Sequence, residues 1–333
     1  MRYSNVGRFV GTDLRRSSLS EVTIFEKILR FELNTRGRGW RILLGRAIRG
    51  LFPQFRLQSR LASLFGRSVK VSVMGKTLEM DLRDEAVSSS IFADGVWEPE
   101  ETSFIENALR PGMVFVDIGA NIGYYTVIAS SLVGNTGKVI AFEPDPGNFA
   151  LLQRNIAENN CQNVLAERKA VAGSSQRLSL YRSSSNFGDH RIYKPRGSAL
   201  SPSTAKHSAV DVEAISLDDY LIGHRIHVDF LKIDIQGSEY DALLGMQRTL
   251  QENPDITILA EFWPTGLTQA GVAPSVFLDK VRACGFTIYR LQEKLLQEIS
   301  DQDILESLPG DEYMSLVLSR RKNFYPRPEY SGR

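Results

Sequence analysis

The sequence predicts an α/β fold, a doubly wound and mostly parallel sheet with helices packed on both faces. Three observations predict it. Short apolar runs alternate with amphipathic stretches of helical length from residue 113 onward. The connections are long enough for right-handed helical crossovers, which join parallel strands. The first run also ends in a glycine-rich turn that opens a helix, as in open α/β sheets that bind ligands at their strand ends.

The elements follow in order. Residues 21–65 mix apolar and basic positions at roughly helical spacing, as in RILLGRAIRGLF, and predict two or three helices. Residues 1–70 therefore read as a basic, mainly helical N-terminal extension, and 71–325 as the main domain. SVKVSVMGKTLEMDL (68–82) alternates with period two around a Gly-Lys turn, which predicts a β-hairpin. MVFVD (113–117) is a strand with a helix over 122–132, and KVIAFE (138–143) a strand with a helix over 147–159. VLAERKAV (164–171) is the third strand. DFLKID (229–234) is the fourth, with a helix near 238–250, and ITILAEF (256–262) the fifth, with a helix near 274–284. FTIYRL (286–291) and YMSLVLSR (313–320) complete the series. No strong crossover helix joins these last two, so a terminal antiparallel strand at the sheet edge is expected. Segment 173–210, rich in Ser, Arg, Asn and Gly with a short strand at RLSLYR, interrupts the alternation as an insertion.

Composition narrows the classes of function. With 42% hydrophobic and 24% charged residues, the 333-residue chain is ordinary globular material. Two cysteines form neither a disulfide framework nor a metal pattern, which suits a reducing cytoplasm. No apolar run approaches a membrane span, and the start lacks a secretory core. Residues 1–70 carry 15 Lys and Arg against 4 Asp and Glu, leaving 25 against 35 in the rest. An arm of +11 thus precedes a body of −10. Such an arm suits an anionic membrane surface, touched peripherally, or an acidic partner; equally, it suits a cap whose arginines pair with the body. The acidic body argues against nucleic acid. The four histidines show no ligand spacing, so no structural metal is expected.

The chemistry centres on VFVDIGANIGYYTV. A strand reaches Asp117, and Gly119, Asn121 and Gly123 turn the chain sharply into a helix. Glycine there permits the turn and a close ligand approach. The free N–H groups at the helix start favour an anionic group. Glu143 ends the next strand, 24 positions after Gly119, where an acid can accept hydrogen bonds from both hydroxyls of a ribose. A dinucleotide fingerprint would place glycine where Asn121 stands, and Asp117 would repel a pyrophosphate. The same acid can pair with the amino group of a methionine moiety. Charge sign therefore favours S-adenosylmethionine over NAD.

Five stretches in order carry a family resemblance: GVWEPEETSFIENALRPGMVFVDIGANIGYYT, VIAFEPDPGNFALLQRNIAENN, AISLDDYL, DFLKIDIQGSEYDALLGM and ILAEF. Across roughly residues 90–265 the chain resembles the FkbM-type methyltransferase family. The resemblance implies a Rossmann-like class I methyltransferase fold, a seven-stranded sheet with its last strand antiparallel. It implies O-methylation of sugar or natural-product hydroxyls, and contacts to the cofactor from Gly119, Asn121, Gly123 and Glu143. The chain departs at Gln236, where the family usually carries Glu, losing a charge in that block.

Methyl transfer needs an acceptor aligned with an activated methyl group, and a hydroxyl acceptor must also lose a proton. Asp234, at the end of the fourth strand, is the first candidate for that end, with helix capping at Gly237–Ser238 as its alternative role. Glu261 ends the fifth strand, where it either lines the site or pairs with a Lys or Arg. His190 lies in the insertion with Asp189 and Arg191 beside it, within reach of the cleft and of a polar acceptor. Trp97, Tyr124, Tyr125 and the Phe262–Trp263 pair are candidate walls. N-methylation remains a second enzymatic reading. A non-catalytic S-adenosylmethionine-binding protein docking through its basic extension is a third.

Overall fold

A computed structural model describes residues 68–194, 208–222, 224, 226–292 and 295–321. All belong to one compact unit, Gln54–Arg333. The extension expected over 1–70 lies outside the described residues but for its last three positions.

β1 (Ser68–Val73) and β2 (Lys76–Asp81) form the predicted hairpin as a separate two-stranded sheet. Its turn falls one residue earlier than Gly-Lys: Met74 and Gly75 are both left-handed, at φ 49° and 79°. That pairing matches the twist of the flanking strands. α1 (Val87–Asp94) and α2 (Pro99–Ala108) lead into the main sheet. β3 (Val114–Ile118), α3 (Tyr124–Val133), β4 (Lys138–Phe142), α4 (Pro146–Glu158) and β5 (Val164–Glu167) form the first half. α4 starts where it does because Asp145 accepts the N–H groups of Gly147 and Asn148, while Pro146 fills a position that needs no donor.

The strand expected over 164–171 divides at the exposed Arg168. Beyond it, β6 (Ala170–Val171) joins β7 (Gln176–Arg182) and β8 (Ser208–Ile215) in a small sheet of order β6-β8-β7. The insertion is built on this sheet. α5 (Leu217–Ile222) and β9 (Phe230–Ile233) return the chain to the centre. The single helix expected near 238–250 is two, α6 (Glu239–Leu244) and α7 (Gln247–Glu252). They part at Gly245, where an added Cβ would lie 2.0 Å from the Ala172 carbonyl oxygen, so the backbones meet there. β10 (Thr257–Phe262), α8 (Pro264–Gln269), α9 (Pro274–Ala283), β11 (Thr287–Gln292), β12 (Leu295–Glu298), α10 (Asp301–Glu306) and β13 (Met314–Ser319) complete the described fold.

The main sheet has eight strands in the order β12-β11-β13-β10-β9-β3-β4-β5. β5, β4, β3, β9 and β10 run parallel, as expected. β13 is antiparallel but sits between β10 and β11 rather than at the edge. Its nearly continuous burial explains the position, since both faces and both sides are covered. The eighth strand is β12, a mostly exposed edge drawn from a stretch where no strand was expected.

Alternate residues of the central strands feed two cores. Val116, Ile118, Ile140, Leu231 and Ile258 face one side, and Phe115, Val139, Phe230 and Leu259 the other. Chain order reverses between β9 and β3. The crevice beyond the carboxyl ends of these strands is where open α/β sheets bind ligands.

Candidate active site

A cavity of about 330 Å³ occupies that crevice. Residues just past β3, β4 and β9 line it, together with β10 and the tip of the insertion. Its size is at the small end of the range for small-molecule sites.

At the β3–α3 turn, Gly119, Asn121 and Gly123 are all left-handed, at φ 86°, 51° and 88°. The reason for glycine is more specific than ligand approach. A Cβ on Gly119 would lie 2.0 Å from the Asp234 carbonyl oxygen, and one on Gly123 2.5 Å from Leu152. These glycines let the turn press against the neighbouring strand end and α4. Gly119 and Asn121 line the cavity.

Glu143 follows β4 and is 5% exposed. Its Oε2 accepts the Asn121 N–H and its Oε1 the Asp145 N–H, both at 2.8 Å. A carboxylate offers about four acceptor positions, so about two remain for ligand hydroxyls. Burial pushes its carboxyl up to about 8; the Asp145 N–H opposes the rise, and the Asp145 charge adds to it.

Asp117 is placed differently from the expectation. It is 1% exposed and lies behind the turn, where Oδ2 accepts the Thr126 hydroxyl at 2.6 Å. It does not line the cavity, and burial raises its carboxyl above the ordinary range. Its period-two position on β3 points it at α3, away from the crevice.

Beside β9 and β10 a second group of acids gathers. Asp234 Oδ2 accepts the buried Lys232 ammonium at 3.0 Å. Gln236 Nε2 donates to Asp234 Oδ1 and to Glu261 Oε2, both at 3.0 Å. Helix capping is therefore not what Asp234 does. Glu239 instead braces the turn ahead of α6, with Oε1 accepting the N–H groups of Ile235 and Gly237. Glu261 has Gln236 as partner rather than a cation. Burial and then the Asp234 charge hold its carboxyl well above the usual range. Glu98 accepts the Tyr125 hydroxyl at 2.8 Å, and burial pushes it up to about 7 against the pull of Lys232. Lys232 also stands 4.7 Å from the centre of the Tyr125 ring.

The insertion closes the cavity. The Phe187 carbonyl accepts amide N–H groups from Asn121 and Asn148, and its own N–H donates to Asp84. His190 lines the cavity, but its contacts lie on the Asp145 side. Its Nδ1 accepts the Ser183 N–H, and Nε2 is 3.8 Å from Asp145 Oδ2. Burial lowers its basicity, so the neutral ring carries its proton on Nε2. Arg191, 3% exposed, pairs with Asp189 and lies over Trp263 at 4.6 Å. Tyr124 and Tyr125 both line the cavity while packed into the core of that face. Of the other pair, Trp263 lines it and Phe262 packs on Phe277.

Glu98, Lys232, Asn148 and Tyr313 line the cavity but were not singled out from sequence. Lys232 left a signal, a charge in the middle of the apolar strand DFLKID. Glu98 left none, since its left-handed backbone at φ 41° is set by the helix entry that follows it.

The strand order, glycine turn and strand-end acid define a Rossmann-like domain of the S-adenosylmethionine-binding class. The residues fit that cofactor: Glu143 keeps free acceptor positions toward the cavity, and Asn121 stands where a dinucleotide site needs glycine. The chain belongs to the FkbM methyltransferase family, whose domain model matches residues 117–288. S-adenosylmethionine is the methyl donor of that family. A curated relative, Methyltransferase 1 of Beauveria bassiana, is 27% identical over 143 residues. That match covers 39% of this chain and 57% of the relative, so the chain spans little more than half the relative's length. Among solved structures, precorrin-6y C5,15-methyltransferase of Geobacter metallireducens overlaps at 14% identity and TM-score 0.38, covering 67% of this chain and 88% of its own. M. jannaschii TYW2 in complex with AdoMet overlaps at 13% identity and TM-score 0.38, covering 76% and 84%. These partial overlaps add nothing to the fold, which rests on the strand order. Among the described residues no helix is long and apolar enough to cross a membrane.

Proposed function

We propose that the chain transfers a methyl group from S-adenosylmethionine to a hydroxyl of a carbohydrate or small natural product. One observation carries this reading. A single cavity is lined both by Glu143, with free acceptor positions, and by the Asp234–Gln236–Glu261 group. Two strands, β3 and β9, separate β4 from β10. At about 4.8 Å per strand Glu143 stands about 10 Å from Asp234, past β9, and about 14 Å from Glu261 on β10, which leaves room for a cofactor and an acceptor side by side.

Bound S-adenosylmethionine supplies a methyl group already activated on a sulfonium. The chain's residues bind, orient and manage the proton. Glu143 holds the nucleoside, and the β3–α3 turn supports it from beneath. Asp234, ion-paired with Lys232, takes the proton of the acceptor hydroxyl. Glu261, kept protonated by burial, donates a hydrogen bond to a second acceptor oxygen. Phe187 and Trp263 exclude water. His190, tied to Ser183 and Asp145, belongs to the cofactor wall in this reading, and Asp117 supports the turn from behind.

An amine acceptor is the second reading, favoured by three acidic side chains (Glu98, Asp234 and Glu261) around one lysine. A reducing, cytoplasmic setting fits the two free cysteines, Cys161 and Cys284. The test is formation of S-adenosylhomocysteine against a panel of glycosides, phenols and amines, with Asp234→Asn as control. Turnover on hydroxyl acceptors that drops at least about a hundredfold in the variant supports the proposal. Turnover confined to amines replaces it with the second reading. Tight cofactor binding with no transfer to any acceptor points to a binding protein.

A further inference from the structure

Three arginines from separate elements meet outside the cofactor cavity. Arg83 follows β2, Arg154 projects from α4, and Arg182 ends β7. All three line a cleft of about 500 Å³.

Each guanidinium pairs with one acid, and that of Arg83 also lies 5.7 Å from the centre of the Phe187 ring. Arg83 pairs with Asp81 through Nε and Nη2, Arg182 with Asp145 through Nε and Nη2, and Arg154 with Glu79 through Nε at 3.2 Å. Among the described residues, Nη1 of Arg83, Nη1 of Arg182 and both Nη groups of Arg154 have no hydrogen-bond partner. Acids placed this way hold the arginines in position and leave their outer donors free. Ser68, Ser184 and Ser208, all exposed, add hydroxyls to the same cleft. Fixed forks of N–H donors with hydroxyls between them match a tetrahedral oxyanion with several acceptor oxygens. Among the described residues, the acids on the lining are Asp81 and Asp145, already committed to Arg83 and Arg182.

We propose that this cleft is a binding site for a phosphate group, carried either by a phosphorylated small molecule or by free inorganic phosphate. The site is separate from the methyl-transfer cavity but shares a wall with it. Asn148 and Phe187 line both. Asp145, which anchors Arg182, also donates its N–H to Glu143 and caps α4. A phosphate on Arg182 therefore sits one carboxylate away from the residue assigned to the ribose. The inference does not depend on the proposed function, because it needs no acceptor and no turnover.

The experiment is calorimetric titration of inorganic phosphate, and separately of a hexose phosphate, into the full chain, Arg154→Gln and Arg83→Gln. S-adenosylhomocysteine binding serves as the folding control. Both substituted side chains are half exposed, so each variant is expected to fold and to bind S-adenosylhomocysteine as the parent does. The expected result is saturable one-to-one phosphate binding that weakens at least about tenfold in either variant, a loss of about 1.4 kcal/mol. Tighter binding of the hexose phosphate identifies a phosphorylated small molecule as the source, and equal or weaker binding identifies the free ion. No saturable binding to a chain that binds S-adenosylhomocysteine overturns the proposal. Binding that survives both substitutions overturns it too, and moves the phosphate to other basic residues, those of 1–70 included.

Discussion

Cofactor binding is expected to be steeply dependent on pH, through Glu143. Burial pushes this carboxyl up to about 8 in the free chain. Ribose hydroxyls donate hydrogen bonds to the ionised form, so the proton must leave when the nucleoside binds. Below pH 8 the affinity for S-adenosylhomocysteine should therefore fall about tenfold per pH unit, and above it level off. At pH 7 the group is about nine-tenths protonated, so binding should release about 0.9 proton. Titration calorimetry in buffers of different ionisation enthalpy counts that proton directly. Glu143→Gln removes the titrating group; its affinity should be flat across the same range and no proton should be released from this site. The free chain carries the mirror image. A carboxyl raised from 4.5 to about 8 leaves full stability below about pH 4.5, and stability is lost as pH rises through 8. For one group the loss is at most on the order of 5 kcal/mol. A flat wild-type affinity between pH 6 and 8 would refute the reasoning, as would a slope that persists in Glu143→Gln.

Three further outcomes are expected. Gln236→Leu removes the donor shared by Asp234 and Glu261, at a cost of about 1–3 kcal/mol in holding the pair; turnover should fall roughly tenfold to hundredfold with S-adenosylhomocysteine affinity within about twofold of wild type. Gly119→Ala forces a Cβ to within 2.0 Å of the Asp234 carbonyl at a left-handed position, and denaturant unfolding should show a loss of about 3 kcal/mol or more. Asp117→Asn keeps a partner for the Thr126 hydroxyl and removes a buried charge, so S-adenosylhomocysteine affinity should change less than about threefold; a loss above about tenfold, read by calorimetry, would return Asp117 to the cofactor's amino group.

The fold was legible wherever burial follows local periodicity. β3, β4, β9 and β10 are apolar runs buried on both faces, and their neighbours in sequence are helices, so type and order could both be read. The eighth strand could not. β12 is short and exposed, and it forms only because β11 offers a free edge. The division of the third strand and the break at Gly245 depend on where distant backbones meet, which no local pattern encodes. At the site, spacing alone picked out Glu143, Gly119 and Asn121, and all three line the cavity. Asp117 was expected at the cofactor from its residue type, and its place on β3 sends the side chain to α3. Lys232 and Glu98 reach the cavity through tertiary packing, and the shared role of Gln236 appears only once β9 and β10 lie side by side.

The Phe187 carbonyl, gripped by the amides of Asn121 and Asn148 while Asp84 holds its N–H, behaves as a plug in a socket. The socket is assembled from three places far apart in the chain, whereas the plug belongs to one continuous segment. Transplanting a relative's insertion to alter acceptor choice would therefore be a cassette exchange with one strict rule. The incoming segment must present a backbone carbonyl and N–H where Phe187 presents them, whatever side chains it brings. A graft that ignores the rule would leave the amides of Asn121 and Asn148 without their shared acceptor on the wall of the cavity, and would disturb the β3–α3 turn while aiming to change the acceptor half.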